Sequence, residues 1–240
     1  MRLDAYLVLK EKIPSRTRAQ KLIEEGSVSV NGKVVMKPAQ KISDTDRVVL
    51  TGSDIPWVSR GALKLLAAFD EWKINVKGKV CLDIGASTGG FTEVLLERGA
   101  KKVFALDVGH GQLHEKIQHD PRVVSMEGTN IRQVFATDLP EPIEFIVVDV
   151  SFISLELVLP HVFSLLSPQG SFVALVKPQF EVGKENIKKG IVVDEKLRLE
   201  ALEKIVVLVK AAGFKNVQTI DSPIEGGDGN KEFLMFVSRV

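Results

Sequence analysis

The chain has 240 residues, 45% of them hydrophobic, and a formal net charge of +1. That is enough for one α/β domain with its own core plus a small appendage. A single cysteine, Cys81, excludes a disulfide framework, and the N-terminus lacks a signal-peptide core. No apolar run approaches the roughly 18 residues that a membrane helix needs, so the expectation is a soluble, cytoplasmic protein.

Residues 1–52 form the first predicted module. Leu3 and Leu7 mark a short helix. Ser15 caps a second, Arg16 to Glu25, with Ala19, Leu22 and Ile23 facing inward, Arg16, Arg18 and Lys21 outward, and Gly26 as its stop. Two alternating strands flank Asn31-Gly32, a strong hairpin signal, and Arg47 to Leu50 adds a third. The turn-rich run 51–56 then breaks the pattern, placing a linker at 53–58 and a second domain at 59–240. Residues 1–52 carry ten basic against six acidic side chains, while the remainder is net acidic. That asymmetry points to this module as the contact for a polyanion. The helix-helix-hairpin order, with Ser15-Arg16-Thr17-Arg18-Ala19-Gln20-Lys21-Leu22-Ile23 leading to Val30-Asn31-Gly32-Lys33, resembles the alpha-L RNA-binding module of ribosomal small-subunit protein four and of pseudouridine synthases. On that reading Arg16, Arg18, Lys21, Asn31 and Lys33 face RNA.

From Ser59, expected to cap a helix over Arg60 to Trp72, helices and strands alternate. Strands are predicted at 80–83, 103–107, 123–126, 143–149, 171–177, 217–220 and 233–237, with helices at 91–98, 155–166 and 194–212. Seven strands with intervening helices make a Rossmann-like, doubly wound sheet. Ligand chemistry belongs at the carboxyl ends of such strands, where Asp83, Asp107, Asp149 and Lys177 fall.

The run Cys81 to Thr92 carries an apolar strand through Asp83 into the turn Gly85-Ala86-Ser87-Thr88-Gly89-Gly90 and then Phe91 of a helix. Its spacing is neither G-x-G-x-x-G nor a triphosphate loop. With Asp107 ending the next strand, where a carboxylate can hold a ribose diol, the pattern looks like an S-adenosylmethionine site. His110 and His114 are spaced as helical metal ligands would be, but glycines flank His110 and no third ligand converges, so no metal is expected.

Asp149 is followed by Val150-Ser151-Phe152 rather than the Pro-Pro-Tyr type of motif used in amino-group methylation, and Cys81 sits in the wrong strand to be a cytosine C5 nucleophile. Lys177, ending an apolar strand, needs a carboxylate partner or a lowered pKa. Lys64, Asp149, Lys177 and Glu232 stand in the order of FtsJ-like 2′-O-ribose methyltransferases, with Glu225 a competitor for the fourth place. The longer runs Val58 to Leu65, Asp83 to Thr92, Asp107-Val108-Gly109-His110-Gly111-Gln112-Leu113, Asn130-Ile131-Arg132, Asp149 to Ser154 and Val176 to Glu181 resemble the TlyA family, also labelled hemolysin A. The resemblance implies cytidine 2′-O-methylation of ribosomal RNA, with Lys64, Asp149, Lys177 and Glu232 as the catalytic tetrad and Lys177 as base or as steering cation. It also implies that S-adenosylmethionine lies on Asp83, Gly85, Ala86, Ser87, Thr88, Gly89, Gly90, Phe91, Asp107, Val108, Gly109, Asn130 and Asp149, with Arg60 toward the RNA. The expected partners are ribosomal RNA or ribosomal subunits, met by a monomer or weak dimer, without metal or membrane. Trp57 and Phe180 are candidates for stacking on a nucleotide. The rival readings are a membrane-active hemolysin and a non-catalytic RNA-binding assembly factor.

Overall fold

A computed structural model describes residues 1–10, 13, 15–43, 45–50, 57–226 and 229–239. The expected boundary at 52 and most of the linker therefore lie outside the described residues.

In the N-terminal module α1 (Leu3–Lys10) packs on α2 (Arg16–Glu24), and β1 (Val28–Val30) pairs antiparallel with β2 (Lys33–Val34) and β3 (Val48–Leu50). Leu3, Leu7, Ala19, Ile23 and Val28 are fully buried between them. Ser15 caps α2 by accepting the Arg18 backbone N–H at 3.2 Å. Asn31 and Gly32 both take positive φ (52° and 77°), as a tight hairpin turn requires. Asn31 also ties the hairpin to the loop before β3, donating to Asp46 and accepting from the Arg47 N–H.

The larger domain runs α3 (Ala62–Trp72), β4 (Val80–Ile84), α4 (Gly90–Glu97), β5 (Lys102–Asp107), α5 (Glu115–Gln118), β6 (Val123–Glu127), β7 (Ile143–Val148), α6 (Leu155–Leu165), β8 (Leu166–Val176), α7 (Pro178–Glu181), α8 (Glu195–Ala211), β9 (Asn216–Asp221) and β10 (Phe233–Ser238). Its seven strands lie in the order β6-β5-β4-β7-β8-β10-β9, with only β10 antiparallel to its two neighbours. β4 is buried at all five positions, as a parallel strand covered on both faces must be. One face packs Leu65, Phe69, Phe91 and Leu95 of α3 and α4. The other packs Val158, Leu159, Ile205 and Val209 of α6 and α8.

Ser59 does not cap α3. Gly61 holds that position without a side-chain bond, and Ser59 instead packs against Gly90, where an added Cβ would meet its hydroxyl at 2.2 Å. The short turn joining the linker to α3 thus lies directly on the start of α4, and glycine at 90 makes room for it.

Candidate active site

The strand order reverses between β4 and β7, and a crevice opens outside the carboxyl ends of parallel strands at such a point. A cleft of about 1000 Å³ lies there, lined by Gly85, Ser87, Asp107, Asn130, Asp149 and Lys177 among others.

The glycine turn forms one wall. Gly85, Ser87 and Gly89 all have positive φ, at 87°, 55° and 95°. Gly85 is required by its neighbour rather than by a ligand, because a Cβ there would stand 2.3 Å from the Asp149 carbonyl oxygen. Asp107 is held rigidly: Oδ1 accepts the Gly109 N–H and Oδ2 the Ser87 N–H, each at 2.8 Å. Ala86, Gly90, Phe91, Val108 and Gly109 also reach the cleft. Asn130 reaches it too, its side chain accepting the Arg132 N–H.

Asp83, Thr88 and Gly89 do not line the cleft. Asp83 is wholly buried behind the turn, where Thr92 Oγ1 donates to it at 2.7 Å and binds β4 to α4. Burial pushes its carboxyl up to about 7. Thr88 lies buried beneath the turn, and Gly89 packs on Leu113 and Ile117. The fit to an adenosyl ligand therefore rests on the oriented Asp107 carboxylate, the turn from Gly85 to Ser87 and the depth of the cleft.

Opposite that wall stand two ion pairs. Lys177 Nζ lies 2.6 Å from Asp149 Oδ1 and donates to Ser151 Oγ at 2.9 Å. Lys64 Nζ lies 2.7 Å from Glu232 Oε2, whose other oxygen accepts from Gln179 at 3.3 Å. The four side chains come from α3, the ends of β7 and β8, and the residue before β10, far apart in sequence. Glu232 is the acid that meets Lys64, while Glu225 lines the cleft beside it. Burial, the strongest single influence on Lys177, pulls its pKa down, but Asp149 and Glu232 outweigh it and the group ends above its ordinary value. Burial likewise works against ionised Asp149, yet Lys177 and Lys64 hold its pKa below the ordinary range. Each partner's charge thus favours the ionised form of the other, at a separation that suits an ammonium beside a carboxylate.

The mouth of the cleft holds a residue not selected from sequence. Phe152 is 85% exposed, has φ 64° and leans on Phe180 with ring centroids 5.2 Å apart. A bulky residue held at positive φ and facing water is strained and unshielded, a combination that marks function. Its signal in sequence was only its place three residues after Asp149. Trp57, by contrast, is half-buried against the core beside α3 and α4.

The basic stripe is rearranged. Arg18 donates to the Gln112 carbonyl, and Lys21 donates to the Gln112 side chain at 2.8 Å while lying 3.7 Å from Asp107. Both were expected to face outward, but α2 docks on the catalytic domain through this edge. Arg16, half-exposed, bonds the buried Asp4 at 3.1 Å. Lys33 is exposed and Arg60 lines the cleft. His114 caps α5 by accepting the Lys116 N–H, and no cluster of metal-ligating side chains occurs among the described residues. Nor is any described helix long and apolar enough to cross a membrane.

The FtsJ-like methyltransferase family matches residues 57–239, and the S4 domain residues 1–48. The chain is 44% identical to the 16S/23S rRNA (cytidine-2′-O)-methyltransferase TlyA of Mycobacterium tuberculosis, over 98% of this chain and 89% of that one. It is 45% identical to hemolysin A of Brachyspira hyodysenteriae over 98% of each. A solved structure from Streptococcus thermophilus, 41% identical, superposes with a TM-score of 0.78 over 99% of this chain and 88% of that one. The chain belongs to the FtsJ-like methyltransferase family, alongside TlyA and hemolysin A, and carries an S4 domain ahead of its catalytic sheet.

Proposed function

We propose that this protein methylates the 2′-hydroxyl of a cytidine in ribosomal RNA, in the cytoplasm, with S-adenosylmethionine as the methyl donor. The observation that carries the reading is the Lys177–Asp149 pair at 2.6 Å, charged and facing the same cleft as the oriented Asp107 carboxylate.

Asp107, fixed by two backbone N–H groups, would accept the hydroxyls of the cofactor ribose, and the turn from Gly85 to Ser87 would lie against the rest of the nucleoside. When bound, S-adenosylmethionine supplies an electrophilic methyl group on a sulfonium. A ribose hydroxyl is a weak nucleophile at neutral pH, so these residues must act chiefly by placement. The Lys177 ammonium donates to the 2′-oxygen and fixes the direction of its remaining lone pair. As the methyl passes from sulfur to oxygen, its bond to sulfur breaking to leave a neutral thioether, the hydroxyl proton would become acidic and would pass to the Asp149 carboxylate. Lys64 and Glu232 keep each buried charge compensated, and Glu232 adds to the field that holds Lys177 protonated. Phe152 and Phe180 offer a ring face at the mouth on which a single nucleotide can stack. The S4 domain supplies RNA affinity through exposed residues such as Lys33.

The test is transfer of labelled methyl from S-adenosylmethionine to ribosomal RNA, followed by mapping of reverse-transcription stops at low dNTP. A new stop at a cytidine with the unmodified protein, absent with Lys177→Ala, is the expected result. Methyl transfer to a base would overturn the proposal.

A further inference from the structure

The cleft is not built from the catalytic domain alone. Glu25, the residue that closes α2 of the S4 domain, reaches across to accept a hydrogen bond from Ser87 Oγ at 3.0 Å. Ser87 belongs to the glycine turn, and its own N–H holds Asp107. Burial, above all, pushes the Glu25 carboxyl above its ordinary pKa, with Asp149 adding to that push, while Lys21, the Ser87 bond and Arg18 draw it back toward the ionised form that a cation in the cleft would favour. Its charge in turn helps hold Lys177 protonated. Glu25 thus lines the same cleft as Asp107, the carboxylate suited to a ribose, and Lys177, the lysine suited to the acceptor hydroxyl.

Its second oxygen, Oε2, is buried and has no hydrogen-bond partner among the described residues. An unpartnered buried carboxylate oxygen is costly, and a cationic ligand would relieve it. Lys21 and Arg18 of the same helix bond Gln112 and act on Glu25 through their charge, but neither donates a hydrogen bond to Oε2. A carboxylate is also unsuited to an RNA phosphate, so this corner of an RNA-binding domain serves another ligand. The sulfonium of an S-adenosyl cofactor is joined to ribose on one side and bears the methyl on the other, so with the ribose at Asp107 and the acceptor at Lys177 it would lie in the cleft that Glu25 also lines.

We propose that Glu25, lent by the S4 domain, is a cofactor-site residue whose negative charge favours cationic S-adenosylmethionine over its uncharged thioether product. The inference rests on the reading of the cleft as an S-adenosylmethionine site. The cofactor site is then shared by both domains. Docking of α2 sets how well donor and product are told apart, and the spent product is released because it lacks the charge that Glu25 holds.

Calorimetric titration of the full chain with S-adenosylmethionine and, separately, with S-adenosylhomocysteine tests this without reference to turnover. Glu25→Gln keeps the size of the side chain and an oxygen for Ser87 but removes the charge. It should weaken S-adenosylmethionine binding by about tenfold, the scale of one partly screened charge pair, with S-adenosylhomocysteine within about twofold. Glu25→Asp, which keeps the charge, should retain most of the discrimination. Equal weakening of both ligands by Glu25→Gln, no change in either, or equal loss of discrimination in the Gln and Asp variants would overturn the proposal. Failure of the unmodified protein to bind either ligand would instead sink the cofactor reading of the cleft.

Discussion

Lys177 Nζ lies 2.6 Å from Asp149 Oδ1, the two residues following directly on the paired parallel strands β7 and β8. Sheet registry therefore fixes their separation, and each charge favours the ionised form of the other. Lys177→Ala should retain cofactor and RNA binding but lose methyl transfer by about 10² or more, the scale of removing a preorganised hydrogen-bond donor from the reacting oxygen. Lys177→Arg should fail as well, since a planar fork cannot reproduce the point contact of an ammonium. Asp149→Asn should bind normally and turn over poorly. A wild-type single-turnover rate in Lys177→Ala would refute the role assigned to the pair.

The Lys64–Glu232 pair is deeply buried, with side-chain exposures of 9% and 2%. Lys64→Ala leaves a carboxylate buried without its counter-ion and should cost about 3–5 kcal/mol of stability. Lys64→Met combined with Glu232→Met should recover much of that loss in urea denaturation while remaining inactive. A Lys64→Ala protein as stable as wild type would show that Glu232 is compensated from elsewhere.

Gly85→Ala tests a contact between neighbouring strand ends. The added Cβ would stand 2.3 Å from the Asp149 carbonyl at a backbone φ of 87°. Relief requires moving Asp149, so turnover should fall together with about 1–3 kcal/mol of stability. Normal stability and turnover would mean that this close approach can relax freely.

Phe152→Ala should lower kcat/KM on ribosomal RNA by about 10- to 100-fold, the range of losing one base-stacking contact. Calorimetric affinity for S-adenosylmethionine should stay unchanged, and Phe152→Tyr should restore activity. An equal loss in the Tyr and Ala variants would argue against a stacking role.

Burial lifts the Asp83 carboxyl from its ordinary 3.8 to about 7. The folded protein then holds this proton more tightly than the unfolded chain. The stability it contributes is complete below about pH 4 and is lost as pH rises through 7. Asp83→Asn removes that dependence, so its stability relative to wild type should climb between pH 4 and 7. The gain is bounded at about 4 kcal/mol by the size of the shift. Denaturation midpoints whose difference stays flat with pH would show that Asp83 ionises freely in the folded protein.

The sequence by itself determined the alternating elements, the hairpin at Asn31-Gly32 and the candidate tetrad. Hydrophobic periodicity and glycine at forced turns are local properties, legible without a fold. The strand ends were equally legible: Asp107 and Asp149 close apolar runs, and Lys177 follows one. Tertiary structure decided what no local pattern encodes. It placed Asp83 behind the turn rather than in the cleft, because the alternation of side chains along β4 points it at Thr92 of α4. It paired Lys64 with Glu232, 168 residues apart, through the antiparallel insertion of β10 beside β8. It turned Arg18 and Lys21 inward, because outward faces of a small domain become inward ones when that domain docks on a larger one. The same docking brought Glu25 to Ser87, a contact whose partners lie in different domains and leave no trace in the periodicity of either.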